Sequence, residues 1–372
     1  MRKERERIEI PGEHEARERS WAVVAAAFAG RQPEPRRHSW KLPAAVAAAA
    51  VALAGLLSPP GRAVLDEIRE AVGVEGAAPA LFSLPAPGRL LVTADSGAWV
   101  VEQDGSRRLL GRYDDATWSP FGRFIAVTRA NELGAVAPNG EVKWSLPRPD
   151  ARSPRWAGSR TDTRIAFVTD SRLHVVGGDG KRDVDAGGGP APATGIAPAW
   201  RPGPRFELSY VDSRHRVATF AVEAAGTSWR SIVIPDARQL AWDPDGSRLL
   251  VVGRDRLILL GGADGTASTR REPGVTAAAW APDGRLAIVR TRGARSELVV
   301  DGRVRFSAAV GGAFTDPTWS PDGRWVLVSV PAADQWVFLR ARGKPGIRAV
   351  SNVSAQFRSR TFPTISGWCC AP

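Results

Sequence analysis

Cysteine and histidine are scarce in this chain of 372 residues. The two cysteines, Cys369 and Cys370, are neighbours near the end, and the four histidines stand far apart, at positions 14, 38, 174 and 215. Zinc and redox sites normally need closely spaced cysteines or histidines, such as C-x-x-C. The sequence therefore offers neither kind of site.

The adjacent cysteines allow two interpretations. A disulfide between neighbours has to distort the peptide that joins them. We therefore favour two small side chains in the last buried strand, with a vicinal disulfide as the alternative.

Signatures of catalysis are also missing. The patterns G-x-S-x-G and H-E-x-x-H and the phosphate-binding loop do not occur. A Ser-His-Asp site needs a suitably placed histidine, whereas His174 and His215 fall in or beside predicted outer strands, where we expect solvated side chains. The glycine-rich segment 177–189 contains three aspartates without the spacing of a calcium loop. We predict a protein that is not an enzyme and holds no cofactor or metal.

Positive charge is abundant, with a formal net charge of +12, but it is scattered. Lysine occurs only at positions 3, 41, 143, 181 and 344, so the charge comes almost entirely from single arginines in turns. The densest cluster is Arg36 and Arg37, with Lys41 nearby. We do not predict a nucleic-acid partner, because such sites need a basic patch or stripe.

Long apolar runs are absent except for one of sixteen residues, Leu42–Leu57. A membrane helix needs about 20 residues, so this run spans only if Trp40 and Ser58 lie in the interface. We predict a transmembrane helix over residues 42–58. A cleaved secretory signal and a buried alanine-rich helix are the alternatives.

The flanks of this run set its orientation. Residues 1–41 form a charged tail that contains a short predicted helix at 21–30, and residues 31–41 are predominantly basic. Residues 58–80 are acidic on balance, and we predict a helix and linker over 59–87. Because the positive flank stays inside, the tail is predicted to be cytoplasmic and the rest extracytoplasmic.

Tryptophan, in contrast, recurs at nearly regular intervals. Seven tryptophans close similar segments, with spacings of 38, 44, 42, 38, 39 and 49 residues. They are Trp118, Trp156, Trp200, Trp242, Trp280, Trp319 and Trp368. This period is typical of one four-stranded propeller blade.

Each unit has the same internal pattern, seen best in "WSPDGRW" at 319–325. A tryptophan ends a short strand, a tight turn follows, and an apolar run continues the chain. Serine, proline and glycine suit the turn, and Asp322 is expected to hydrogen-bond the backbone of its own corner. The corresponding corner residues are Asp245, Gly246, Asp283, Gly284, Asp322 and Gly323.

This pattern resembles the TolB-like, WD-repeat-like β-propeller repeat over residues 88–370. The match is strong at 242–252, 280–289 and 319–329, and it is weaker at Trp156 and Trp200, where we expect longer corners. Residues 89–111 supply three strands and the strand ending at Trp368 supplies one. We therefore predict an all-β, seven-bladed propeller over 88–372, closed by the C-terminal strand.

Two functional hypotheses follow. The first is a non-catalytic, membrane-anchored propeller that presents a binding module for a protein, peptide or saccharide outside the cytoplasm. Charged segments at 201–216, 254–256 and 290–295 are candidate face elements. The alternative is a transmembrane regulator, similar in layout to anti-sigma proteins, whose tail binds a cytoplasmic partner.

Overall fold

The computed structural model describes residues 77–78, 83–186, 190–222, 230–261, 266–309, 311–342 and 346–370. The predicted tail (1–41), membrane helix (42–58) and the helix predicted after it lie outside these ranges. No helix within the described ranges is long and apolar enough to cross a membrane.

Seven sheets, which we call blades, make up the described chain; each has four antiparallel strands, and one gains a fifth, parallel strand. The described chain begins with β1 (Ala77–Ala78), followed by three strands of blade 7: β2 (Arg89–Ala94), β3 (Gly97–Val101) and β4 (Arg107–Gly111). Blade 1 is β5 (Asp115–Trp118), β6 (Ile125–Arg129), β7 (Glu132–Val136) and β8 (Val142–Pro147). Blade 2 is β9 (Arg152–Gly158), β10 (Thr163–Thr169), β11 (Arg172–Gly177) and β12 (Val184–Asp185). Blade 3 is β13 (Ala199–Trp200), β14 (Glu207–Val211), β15 (Arg216–Ala221) and β16 (Arg230–Val233).

The second half of the chain repeats this arrangement. Blade 4 is β17 (Gln239–Trp242), β18 (Arg248–Gly253), β19 (Arg256–Gly261) and β20 (Ala267–Arg271). Blade 5 is β21 (Val275–Trp280), β22 (Leu286–Arg292), β23 (Arg295–Val300) and β24 (Arg303–Ala308). Blade 6 is β25 (Thr315–Trp319), β26 (Trp325–Val330), β27 (Gln335–Arg340) and β28 (Ile347–Ser351). Blade 7 joins β29 (Thr364–Cys369) to β2, β3 and β4.

The first strands of neighbouring blades contact one another in sequence around a closed ring. The C-terminal strand β29 pairs antiparallel with β2, which places Trp368 opposite Leu90. This pairing covers the sheet edge that an open ring would leave on β2. The prediction of a seven-bladed propeller closed by its last strand is confirmed.

Apolar clusters between neighbouring blades explain why the second strands are continuous apolar runs. In β18, Leu249 and Val251 pack towards blade 3, whereas Leu250 and Val252 pack towards blade 5. Successive residues of a strand point to opposite faces, and both faces of a blade are buried by its neighbours. Each of the seven blade interfaces contains one such cluster of the described residues.

One segment assigned to the linker by sequence contributes to the propeller. The short strand β1 pairs in parallel with β28 and adds a fifth strand to blade 6. Farther along, Leu84 and Ala86 are buried in the cluster between blades 6 and 7. The outer edge of β28 is therefore paired with β1 at Ala349 and Val350.

Two further details differ from the sequence prediction. The corner after Trp156, which we expected to be longer, spans only 159–162, whereas the corner after Trp200 spans 201–206 and is one residue longer than the 320–324 corner. In blade 2 both strands extend, so that Gly158 pairs with Thr163 and the turn is shortened. The connection from blade 6 to blade 7 also contains a short helix, α1 (Val353–Gln356).

Candidate functional site

The turns that follow the tryptophan strands lie together on one side of the ring, which we call the corner face. At 320–324 the amide of Gly323 donates to the carbonyl of Ser320 at 2.9 Å. The Asp322 carboxylate accepts from the Arg324 amide at 3.0 Å, and the Ser320 hydroxyl oxygen accepts from the Trp325 amide at 2.9 Å. Gly323 has a φ of +65°, which favours glycine. The side chains of Ser320 and Asp322 therefore accept backbone amides of their own corner.

The other predicted corner residues behave similarly. The Asp245 carboxylate accepts from the Ser247 amide at 2.8 Å, and hydrogen bonds from Ser247 lower the pKa of Asp245. Asp283 forms an ion pair with Arg285 at 3.0 Å. Gly246 and Gly284 have φ values of +71° and +82°. The Asp-Gly pairs thus stabilise their own turns.

The tryptophans join each blade to the one before it. Three indole nitrogens donate to the carbonyl of the residue just before the preceding tryptophan: Trp200 to Arg155 (2.8 Å), Trp280 to Ala241 (3.3 Å) and Trp319 to Ala279 (3.0 Å). Trp242 instead donates to the Ser209 hydroxyl at 3.1 Å. The indole nitrogens of Trp118, Trp156 and Trp368 are buried without a hydrogen-bond partner among the described residues. Packing between blades is thus the shared role of these side chains.

Arginines near the corners form a second set of contacts between blades. The guanidinium carbon lies over the tryptophan of the next blade for Arg89 on Trp118 (5.0 Å to the ring centroid), Arg201 on Trp242 (5.1 Å), Arg248 on Trp280 (5.5 Å) and Arg285 on Trp319 (4.7 Å). Three of these arginines also donate to a glycine carbonyl in that next corner: Arg89 to Gly122, Arg201 to Gly246 and Arg285 to Gly323. These four arginines therefore make contacts between neighbouring blades.

A third set of contacts lies three residues before the tryptophans. The carboxylates of the half-buried Asp115 and Asp316 accept backbone amides of the next blade, from Ser153 and Ile365. Burial raises the pKa of both carboxyls above the usual value. In blade 4, the Gln239 side chain exchanges two hydrogen bonds with the backbone of Ala278, at 2.7 and 3.1 Å.

Two cavities open on the corner face. The first, the central cavity, has a volume of about 370 Å³ and lies where blades 4 to 7 converge. Its aromatic lining comes from Trp242, Trp280, Trp319 and Trp368. Its proline lining comes from Pro244, Pro282, Pro317 and Pro321. Trp319 and Trp368 are buried, whereas Trp242 and Trp280 are half-buried and Pro282 is exposed. This mainly apolar lining has the composition of a binding site for an apolar or proline-containing ligand.

The second cavity, the closure cavity, has a volume of about 600 Å³ and lies between blades 7 and 1. Phe121 and Pro138 supply apolar surface, and Glu102, Gln103 and Arg123 supply polar groups. Cys370 also lines this cavity. Both cavities fall within the usual volume range of small-molecule sites, about 300 to 1,000 Å³.

The favoured interpretation of the cysteines is corrected by the structure, in which Cys369 and Cys370 form a vicinal disulfide. Cys369 ends β29, and Cys370 lies just beyond it with a φ of +57°. The chain has left the strand at Cys370, so the two side chains no longer point to opposite faces of the sheet. Both residues are half-buried.

Several polar residues singled out by sequence are paired with neighbours. His174, expected to be solvated, has only 20% of its side chain exposed, and its Nδ1 lies 3.0 Å from the Asp183 carboxylate. Asp183 also pairs with Arg148 at 2.5 Å. Asp179 accepts the amide of Lys181 within its own turn. Within the described ranges, no group of three or more histidine, cysteine, aspartate or glutamate side chains could hold a metal ion.

The candidate face segments are also reassigned. Residues 201–216 are the corner, β14, the following turn and the first residue of β15 in blade 3. Arg256 pairs with Asp236. Arg290 is 11% exposed and bridges Glu272 and Glu297, so it belongs to a buried ion network and not to a free face.

Sequence reasoning missed the arginine contacts and the polar residues that precede the tryptophans. A signal was present: Arg89 and Arg285 directly follow glycine, and Asp115, Gln239 and Asp316 all stand three residues before a tryptophan. The closure cavity has a weaker signal, the replacement of aspartate by Phe121 in "SPFG".

Comparison with known proteins supports the fold alone. The sequence matches no family model and no curated protein. A protein of Bacteroides uniformis, named provisionally as a 6-phosphogluconolactonase, aligns with a TM-score of 0.51 and 13% identity over 70% of this chain and 95% of its own. The C-terminal WD40 domain of Sif2 aligns with a TM-score of 0.51 and 12% identity over 73% and 89%. A chain of the mitotic checkpoint complex aligns with a TM-score of 0.51 and 14% identity over 68% and 86%. The chain is similar in fold to WD40 and related propellers.

Proposed function

We propose that this protein is a non-catalytic binding scaffold whose central cavity takes an extended, proline-containing segment of a partner protein. The observation that carries the proposal is the convergence of tryptophan and proline rings from four blades on one cavity. Proline-rich segments bind aromatic-lined grooves because their extended conformation is already populated before binding and little entropy is lost.

The surroundings favour a peptide over a charged metabolite. Asp283 and Asp322 beside the cavity pair with arginines or with their own turns. Arg285, the arginine over Trp319, is only 12% exposed. The groups left to meet a ligand are therefore mainly apolar rings. Fold neighbours that occur in protein complexes, including the mitotic checkpoint complex, are consistent with this use of a propeller face.

The test compares charges introduced at equivalent corner positions. Pro282 is exposed, lines the central cavity and occupies the second position of its turn, where glutamate is tolerated. Pro202 occupies the same position in blade 3 and does not line the cavity. With the full chain and a labelled decaproline peptide, we expect Pro282→Glu to weaken binding about tenfold or more. Pro202→Glu should leave it unchanged, and equal binding by both variants and the unchanged protein would refute the proposal.

Placement in the cell forms part of the proposal. The apolar run at 42–58 and its basic flank support a single-pass anchor with the propeller outside the cytoplasm, in a TolB-like arrangement. Membrane fractionation of the full chain, with protease added to spheroplasts, tests this placement. Recovery of the full chain in the soluble fraction would contradict it.

The regulator hypothesis rests on the predicted helix at 21–30 within the charged tail. In-cell crosslinking and purification, with and without residues 2–38, separates the two functions. A polymerase or sigma component captured only with the tail present would favour the regulator. Envelope proteins captured by both forms would favour the scaffold.

A further inference from the structure

We propose that the closure cavity between blades 7 and 1 is a binding site for a neutral saccharide. The site is separate from the central cavity, and its argument does not depend on the peptide proposal. It rests on an exposed aromatic ring and three polar side chains that have no partner within the described residues.

The aromatic ring is a departure from the repeat. The corners of blades 4, 5 and 6 carry an aspartate three residues after the tryptophan: Asp245, Asp283 and Asp322. Blade 1 has Phe121 there, and this side chain is 41% exposed and lines the cavity. Arg160 of the next corner lies 5.1 Å from the ring centroid, which stabilises the ring's position.

Polar side chains without partners lie beside the ring. At other corners, Asp283 pairs with Arg285, Arg285 donates to the carbonyl of Gly323, and Asp322 accepts an amide of its own turn. Around the closure cavity, the side chains of Glu102, Gln103 and Arg123 make no hydrogen bond or ion pair with any described residue, although all three line it. Their hydrogen-bonding groups are therefore free to meet a ligand.

The chemistry of these groups selects the ligand class. Sugar hydroxyls both donate and accept, and the three side chains supply an acceptor, a donor and an amide that does both. The C–H face of a pyranose ring can pack on Phe121, with Cys370 sulfur and Pro138 completing the apolar wall. A strongly anionic ligand would meet Glu102 and a strongly cationic one would meet Arg123. The hydroxyl groups of a neutral sugar can donate to Glu102 and accept from Arg123 without charge repulsion.

The frame of the cavity is held by contacts that do not use these groups. Arg89 donates to the Gly122 carbonyl at 2.8 Å and lies over Trp118. The Sγ atoms of Cys369 and Cys370 lie 4.0 and 3.9 Å from the carbonyls of Ser119 and Pro120. Substitutions at the free polar positions should therefore leave the corner in place.

The experiment uses the full purified chain with maltose, cellobiose and N,N'-diacetylchitobiose as probes. Saturation-transfer NMR detects which disaccharide binds, and calorimetric titration gives its affinity. We expect at least one to bind, and Phe121→Asp, which restores the residue of the other corners, to weaken it about tenfold or more. Glu102→Gln should also weaken binding without lowering the melting temperature.

The control is Leu109→Asp, because Leu109 is similarly exposed at 39% on β4 and does not line the cavity. This variant should bind the disaccharide as the unchanged protein does. Absence of binding by all three disaccharides, or equal binding by the Phe121→Asp variant, would overturn the proposal. Loss of decaproline binding in that variant, with sugars unbound, would likewise overturn it and assign the cavity to the peptide surface.

Discussion

Arg285 in blade 5 lies over the indole of Trp319 in blade 6, with its guanidinium carbon 4.7 Å from the ring centroid. The same arginine donates to the carbonyl of Gly323 in that next corner. One side chain therefore links two blades through a ring and through a backbone group. Because this arrangement recurs around the corner face, it can be tested by comparing equivalent positions.

Replacing Arg285 by alanine should lower the free energy of unfolding by about 1–3 kcal/mol, because a cation–π contact and a hydrogen bond are lost together. Arg324 occupies the same position in blade 6, is 68% exposed and lies over no tryptophan among the described residues. Arg324→Ala should therefore have little effect. Chemical denaturation of both variants measures the difference, and equal losses would contradict a specific role for the stacked arginine.

The corner glycines allow a second matched comparison. Gly122 has a φ of +64°, and a Cβ there would lie 2.9 Å from the Cys370 sulfur. Gly284 has a φ of +82°, and a Cβ there would meet no atom within 4 Å. Gly284→Ala should lose only about 1–2 kcal/mol of stability, the cost of the left-handed conformation. Gly122→Ala should lose more, and thermal unfolding of the two variants would show whether the close contact matters.

The dependence of the free energy of unfolding on pH should change when Asp115 is replaced by asparagine. Burial raises the pKa of Asp115 in the folded state above its value of 3.8. Between the unfolded and folded pKa values the folded state binds more protons, so this carboxyl makes stability fall as pH rises through that window. Asparagine can still accept the Ser153 amide and does not titrate.

Urea denaturation of the Asp115→Asn variant and the unchanged protein, from about pH 3 to pH 7, measures this effect. The variant should gain stability relative to the unchanged protein as pH rises above 3.8. A constant difference across the series would show that Asp115 titrates in the folded state as it does in the unfolded chain.

Deleting residues 364–372 removes the closing strand and should expose the edge of β2. We expect a lower melting temperature and self-association, because the tryptophan contacts of blade 7 and the paired edge are lost together. Light scattering and thermal unfolding check both effects, with a deletion of residues 371–372 as the control. Unchanged stability of the longer deletion would show that ring closure contributes little.

Local sequence signals were sufficient for most of the architecture. Tryptophan spacing predicted the blades, and the pairing of β29 with β2 was predicted from the strands missing at each end. The expected longer corner after Trp156 was wrong, because pairing between Gly158 and Thr163 extends the strands. Strand pairing across a turn depends on both partners, and neither partner identifies it alone.

The sequence by itself determined the repeat, because a blade needs a period of hydrophobic strands and turn residues that can be read along the chain. Only the tertiary structure decided which side chains meet across blades. It placed Arg285 on Trp319 and brought Phe121 and Glu102 to the same cavity. Within blade 2 it also paired His174 with Asp183. Residues far apart in sequence become neighbours through the geometry of the closed ring, and no local pattern records that geometry.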